Sequence, residues 1–77
     1  MASPSIPAAF GLVLRELRQR AGLSQEALAD AADVDRTYIS LLERGLRQPT
    51  LETLFSLSRA LNVSPSTMVS RTASLAG

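Results

Sequence analysis

From Gly22 to Pro65 the chain is cut at short intervals by residues that end helices, and each cut is closely followed by a residue that starts one. This punctuation confines the chain to short helices. Gly22 ends the first, because glycine adopts the left-handed conformation of a C′ position most easily, and Leu23 can then fold back on the helix end. Ser24 is a good N-cap for the second, its hydroxyl accepting from a free backbone N–H of the first turn. Asp33 stands where the chain must turn sharply, and aspartate tolerates left-handed geometry better than most non-glycine residues. Val34 buries that turn. Asp35 repeats the cap for a third helix, Arg36 to about Arg44, which Gly45 ends. After the loop Leu46-Arg47-Gln48-Pro49, Thr50 caps a fourth helix and Asn62 closes it. Ser64 before Pro65 opens a short fifth helix containing Met68 and Val69, since proline at the first helical position gives up no needed hydrogen bond.

Between these signals the apolar residues recur at helical period. Phe10, Leu14, Leu17 and Ala21 fall at i, i+4, i+7 and i+11, one stripe of helix 1. Leu28, Ala29 and Ala32 form the inner face of helix 2, and Leu51, Leu54, Leu57 and Leu61 supply the stripe of helix 4. No alternating strand pattern, repeat or low-complexity block appears. The expectation is an all-α fold of five short helices over 7–70. A flexible arm at 1–6 precedes it, with Pro7 in the first turn of helix 1, and a frayed tail follows at 71–77. At 77 residues there is room for one core. A chain of this size buries only about 60% of its extended surface, so it needs tight helical packing or a partner chain.

Composition narrows the chemistry. Cysteine and histidine are both absent, which removes disulfides, thiolate and imidazole metal sites, cysteine nucleophiles and the usual general base. An enzyme is not expected, and no cofactor, metal or small-molecule ligand is evident. No apolar run approaches the roughly 20 residues of a membrane span. The first residues lack the basic start and apolar core of a secretory signal, which makes the cytoplasm the expected compartment. Eight arginines face seven acids for a net charge of +1, so any nucleic-acid argument must rest on where the arginines sit.

At 100° per residue, helix 3 places Ile39, Leu42 and Glu43 on one side and Thr37, Ser40, Leu41 and Arg44 on the other. Arg36 and Tyr38 flank the outer face near its N-terminal end. Two short helices joined by a tight turn, the second with a hydrogen-bonding outer face, make the helix-turn-helix arrangement. Read alone, Arg36-Thr37-Tyr38 is equally an exposed first turn, in which arginine is slightly unfavourable for the helix dipole. A carboxylate on the inward side, at Glu43, must be paired if it is buried.

The run GLSQEALADAADVDRTYISLLERGLRQPTLETLFSLSRALNVSP resembles the lambda-repressor-like, or Cro/C1-type (XRE), helix-turn-helix domain, and the resemblance spans Phe10 to Val69. DRTYIS is similar to the recognition helix of restriction-modification controller proteins, although general repressors of the family share it. The resemblance implies a sequence-specific DNA-binding transcriptional regulator. It places Gln25 at the opening of helix 2 as a phosphate contact and Arg36, Thr37 and Tyr38 at the reading positions. Arginine can bond guanine O6 and N7 together, threonine can meet a thymine methyl or a phosphate, and tyrosine can meet a phosphate or sugar. Ser40 and Arg44 lie further along the same face, and Arg47 occupies a loop where family members grip the backbone. It also implies that Arg18 of helix 1 is the partner of Glu43, an architectural pair.

One helix-turn-helix unit reads too few base pairs to single out a site in a genome, so a homodimer on a roughly palindromic operator is expected. Family members pair through the region after helix 3, which here offers Phe55, Val63, Met68 and Val69; core packing within one chain is the alternative for all four. The different-class alternative for the whole chain is an antitoxin-like adaptor that keeps the fold without the DNA face.

Overall fold

The computed structural model describes residues 2–77, so Met1 of the expected arm lies outside the described residues. Five helices follow one another: α1 (Ile6–Arg20), α2 (Gln25–Ala32), α3 (Arg36–Glu43), α4 (Leu51–Leu61) and α5 (Pro65–Ala76). Four begin on a hydroxyl cap. Ser5, Ser24, Thr50 and Ser64 accept from the N–H groups of Ala8, Ala27, Thr53 and Thr67 at 3.0–3.3 Å, each bond contributing about 1 kcal/mol. Asp35 holds the cap position of α3 through its extended backbone but makes no side-chain cap bond, contrary to the expectation from its type.

The helix ends follow one pattern. Asp33 (φ 58°) and Asn62 (φ 57°) are left-handed, and the next residue, Val34 or Val63, turns its N–H back to Ala29 or Ser58 at 2.9 and 3.0 Å. This is the Schellman closure, and both valines pack against the core. Gly45 (φ 75°) ends α3 with Leu46 N–H bonded to the Leu41 carbonyl at 3.0 Å. A Cβ at Gly45 would also stand 3.0 Å from Ala8 Cα.

All five helices feed one core. Leu14 of α1, Leu28 of α2, Ile39 and Leu42 of α3, Leu57 of α4 and Met68 of α5 are its fully buried side chains. The α1–α3 crossing is unusually close: a Cβ on Gly11 would lie 2.5 Å from the Leu42 carbonyl oxygen and 2.6 Å from that of Glu43. Glycine lets the two backbones touch there, and this sets where α3 sits.

Several expectations need correction, beginning with Ala21, which is the exposed C-cap of α1 and not part of its apolar stripe. The segment expected as a tail is helical, because α5 continues through Ala76. Its second half lies along α1, where Thr72 is buried and donates to the Met68 carbonyl at 2.8 Å and Arg71 pairs with Glu16. At the other end α1 begins at Ile6, capped by Ser5, which puts Pro7 in the second helical position and shortens the arm by one residue. Leu51 lies outside the apolar stripe of α4. It is 75% exposed, since it occupies the first turn and the contact with the core begins at Leu54.

Candidate nucleic-acid interface

The interface is built outward from a buried carboxylate. Glu43, on the inner side of α3, has a fully buried side chain. Arg18 of α1 donates Nε to Glu43 Oε2 at 2.6 Å and Nη2 to Oε1 at 3.1 Å, a two-pronged pair. Its Nη1 donates to the Leu23 carbonyl at 2.9 Å, so one guanidinium ties α1, the α1–α2 turn and α3 together. Gln25, the first residue of α2, donates Nε2 to Glu43 Oε1 at 3.1 Å. That bond also fixes which way the amide faces, because an ionised carboxylate only accepts. Arg15 Nε stands 3.5 Å from the same oxygen.

These contacts outweigh desolvation. Burial pushes the Glu43 carboxyl up, but hydrogen bonds from Arg18 and Gln25 and the charges of Arg18 and Arg15 together hold it below the usual carboxylate range. The bond to Glu43 likewise raises the Arg18 guanidinium, against a smaller opposing effect of burial. Both groups are ionised at neutral pH, as a buried pair with its hydrogen bonds satisfied should be. No buried side-chain nitrogen or oxygen lacks a partner among the described residues.

With Ile39, Leu42 and Glu43 facing inward, the other side of α3 is left to solvent. Arg36 and Thr37 are exposed in its first turn, Ser40 and Leu41 are half-buried, and Arg44 is exposed at the C-cap. Tyr38 is half-buried: its ring packs on the core, and its hydroxyl reaches the Gln48 carbonyl only at 3.5 Å. Arg44 Nε lies 3.4 Å from the Ser40 carbonyl, a long contact that leaves its charge outward. Arg47 is exposed in the loop before α4. Among the described residues the ion pairs involve Arg15, Arg18 and Arg71. Arg36, Arg44 and Arg47 are therefore in no ion pair among the described residues, and they stand exposed on and just after α3, with the exposed acids Asp33 and Asp35 in the turn before it.

Two sequence-based assignments change. Gln25 is not a free first-turn amide, since one of its two N–H groups is committed to Glu43. Met68 is completely buried in the core and cannot meet a partner chain. Phe55 and Val69 are 48% and 53% exposed, while Val63 is half-buried against the core. Sequence reasoning missed Leu51 and Ile6, exposed apolar side chains near these two. Ile6 and Val69 line a common groove with Pro7, Phe10, Pro49 and Leu54. Arg15 was missed as well, and its place at i−3 from Arg18 on α1 was the available signal.

An α2–turn–α3 unit held from behind by an ion cluster, with arginine and hydroxyl side chains on its outer face, defines a helix-turn-helix DNA-binding domain. The helix-turn-helix family profile matches residues 14–68. Control protein C.BamHI of Bacillus amyloliquefaciens is 44% identical over 57 residues, 73% of this chain and 70% of that protein. The restriction-modification controller protein C.AhdI of Aeromonas hydrophila superposes with a TM-score of 0.79 at 42% identity, covering 80% of this chain and 94% of that one. The controller protein C.Esp1396I, in a structure of its tetramer with its natural 35 base-pair operator, superposes with a TM-score of 0.81 at 30% identity, covering 92% and 93%. The chain belongs to the Cro/C1-type helix-turn-helix family, alongside the restriction-modification controller proteins. It is a DNA-binding regulator of transcription and not a catalyst, and no helix among the described residues is long and apolar enough to cross a membrane.

Proposed function

We propose that the chain binds a roughly two-fold-symmetric operator as a homodimer, with α3 in the major groove. The observation that carries this reading is the division of α3 into two faces. Glu43, Ile39 and Leu42 lock the helix to α1, and the opposite side presents Arg36, Thr37, Ser40 and Arg44. Arg36 and Thr37 read base edges, Tyr38 meets sugar or phosphate from its half-buried position, and Arg47, Ser40, Arg44 and Gln25 hold the backbone. The two copies meet through Phe55, Val69, Leu51 and Ile6, exposed apolar side chains that a monomer would leave in water. Val63 instead packs against the core of its own chain.

The kinship with controller proteins supports a role in controlling a restriction-modification system, and makes an operator of such a system the first DNA to try. Selection of bound sequences from a random DNA pool tests the reading. It should return two half-sites related by a dyad, with the α3 helices of the dimer about 34 Å apart or a multiple of that. Arg36→Ala should then cost about 1–3 kcal/mol per half-site and relax the preference at one base pair, whereas Arg47→Ala should weaken all DNA alike. A pool that returns no motif, or a single asymmetric site bound by a monomer, would sink the proposal.

A further inference from the structure

The cluster behind α3 holds more positive charge than its carboxylate can use. Glu43 is one acid facing two guanidinium groups, and Arg18 alone occupies both of its oxygens, at 2.6 and 3.1 Å. The cluster is therefore cationic by one charge, and the two arginines share that charge unequally with solvent. The Arg18 side chain is 12% exposed, while that of Arg15 is 54% exposed. Arg15 comes nearest to Glu43 through its Nε, at 3.5 Å from Oε1, a charge contact longer than the hydrogen bonds from Arg18 and Gln25. Gln25 donates to the same oxygen, Oε1, at 3.1 Å. The nitrogens of Arg15 and Gln25 can thus be no further apart than the sum of those two distances. Arg15 of α1 stands beside the first residue of α2.

We infer that Arg15 is a DNA-phosphate contact delivered from α1, and that Glu43 holds it next to Gln25 so that the two side chains clamp one stretch of backbone. The inference rests on the DNA-binding reading given above and adds a residue outside the helix-turn-helix to it. A guanidinium drawn toward Glu43 by charge yet half exposed can offer its planar set of donors to a phosphate beside Gln25. Gln25 supports the clamp with its second amide N–H, the first being spent on Glu43. If Arg15 were an ordinary surface ion pair instead, its removal would change stability slightly and DNA binding not at all.

Arg15→Gln separates these outcomes, because Arg18 still satisfies both Glu43 oxygens in that variant. Binding isotherms at several salt concentrations should show weaker binding to operator and unrelated DNA by the same factor. The slope of log affinity against log salt should fall by about 0.9 for each phosphate no longer neutralised, about 1.8 for a dimer. Arg15→Lys, which keeps the charge, should recover most of the slope, and this rescue distinguishes a phosphate contact from a folding defect. If the parent binds DNA with sequence preference and Arg15→Gln matches it in affinity and slope, Arg15 does not touch DNA and the DNA reading stands without it. A loss confined to one base-pair position would equally overturn the phosphate assignment. A parent chain that binds no DNA at all overturns the DNA reading and this inference together.

Discussion

Replacing Glu43 by alanine tests the frame on which the DNA-facing side of α3 depends. The variant removes the acceptor of three hydrogen bonds, two from Arg18 and one from Gln25, and strands a guanidinium that is only 12% exposed. Arg18 keeps one bond, to the Leu23 carbonyl, but is left without its counter-charge. Breaking a buried pair by deleting one partner costs about 3–5 kcal/mol. A domain of 77 residues has about 4–11 kcal/mol of total stability, so this single change consumes a large share of it. At about 4–8 °C per kcal/mol for a domain of this size, the melting midpoint should fall by at least about 12 °C. Thermal melts followed by circular dichroism measure this directly. The double variant Arg18→Met with Glu43→Leu is the control: it strands no charge, so it should recover much of the stability although it has no ion pair. A Glu43→Ala midpoint within a few degrees of the parent would refute the reasoning, because it would mean the pair is open to water. Weakened DNA binding in this variant reports on the placement of α3 and would not make Glu43 a DNA-touching residue.

Other perturbations follow from the same geometry. Since the folded state holds the Glu43 carboxyl below its ordinary value of 4.5, the unfolded chain binds the extra proton first; the stabilisation is complete above that value and disappears as pH falls through the depressed one. Urea denaturation at successive pH values should therefore show a loss below about pH 4.5 that is absent in the apolar double variant. Gly11→Ala should destabilise the fold despite a gain of about 1 kcal/mol in helix propensity, because the new Cβ would stand 2.5 Å from a backbone oxygen that cannot move aside; a raised melting midpoint would show that α1 and α3 can separate freely. Phe55→Glu, or Leu51→Glu at a still more exposed site, should leave the monomer folded and weaken the proposed dimer, with sedimentation showing lighter particles and operator binding weakened through that route.

Much of the chain was legible because its rules act over one or two helical turns. The caps at Ser24, Thr50 and Ser64, the left-handed ends at Asp33 and Asn62, and the inward set Ile39, Leu42 and Glu43 all depend on near neighbours in sequence. So does the outward set of α3 from which the candidate DNA contacts were drawn. The corrections arise where the deciding neighbour is distant. The residues after Val69 contain no helix breaker before Gly77, but it is the surface of α1, with Glu16 beside Arg71, that they lie along. Apolar character alone could not sort Met68, Phe55 and Leu51, because apolar residues stand on both the inward and the outward sides of α4 and α5. The tertiary packing buries the first completely and leaves the other two in solvent. Gln25 and Arg15 are ordinary polar residues until α3 carries the Glu43 carboxylate to them. Sequence by itself determined where most of the helices start and stop and which way α3 faces, since those properties come from backbone and side-chain preferences within a helix. Tertiary structure decided which polar side chains share a buried charge and which apolar ones remain for a partner, because both depend on how the helices cross.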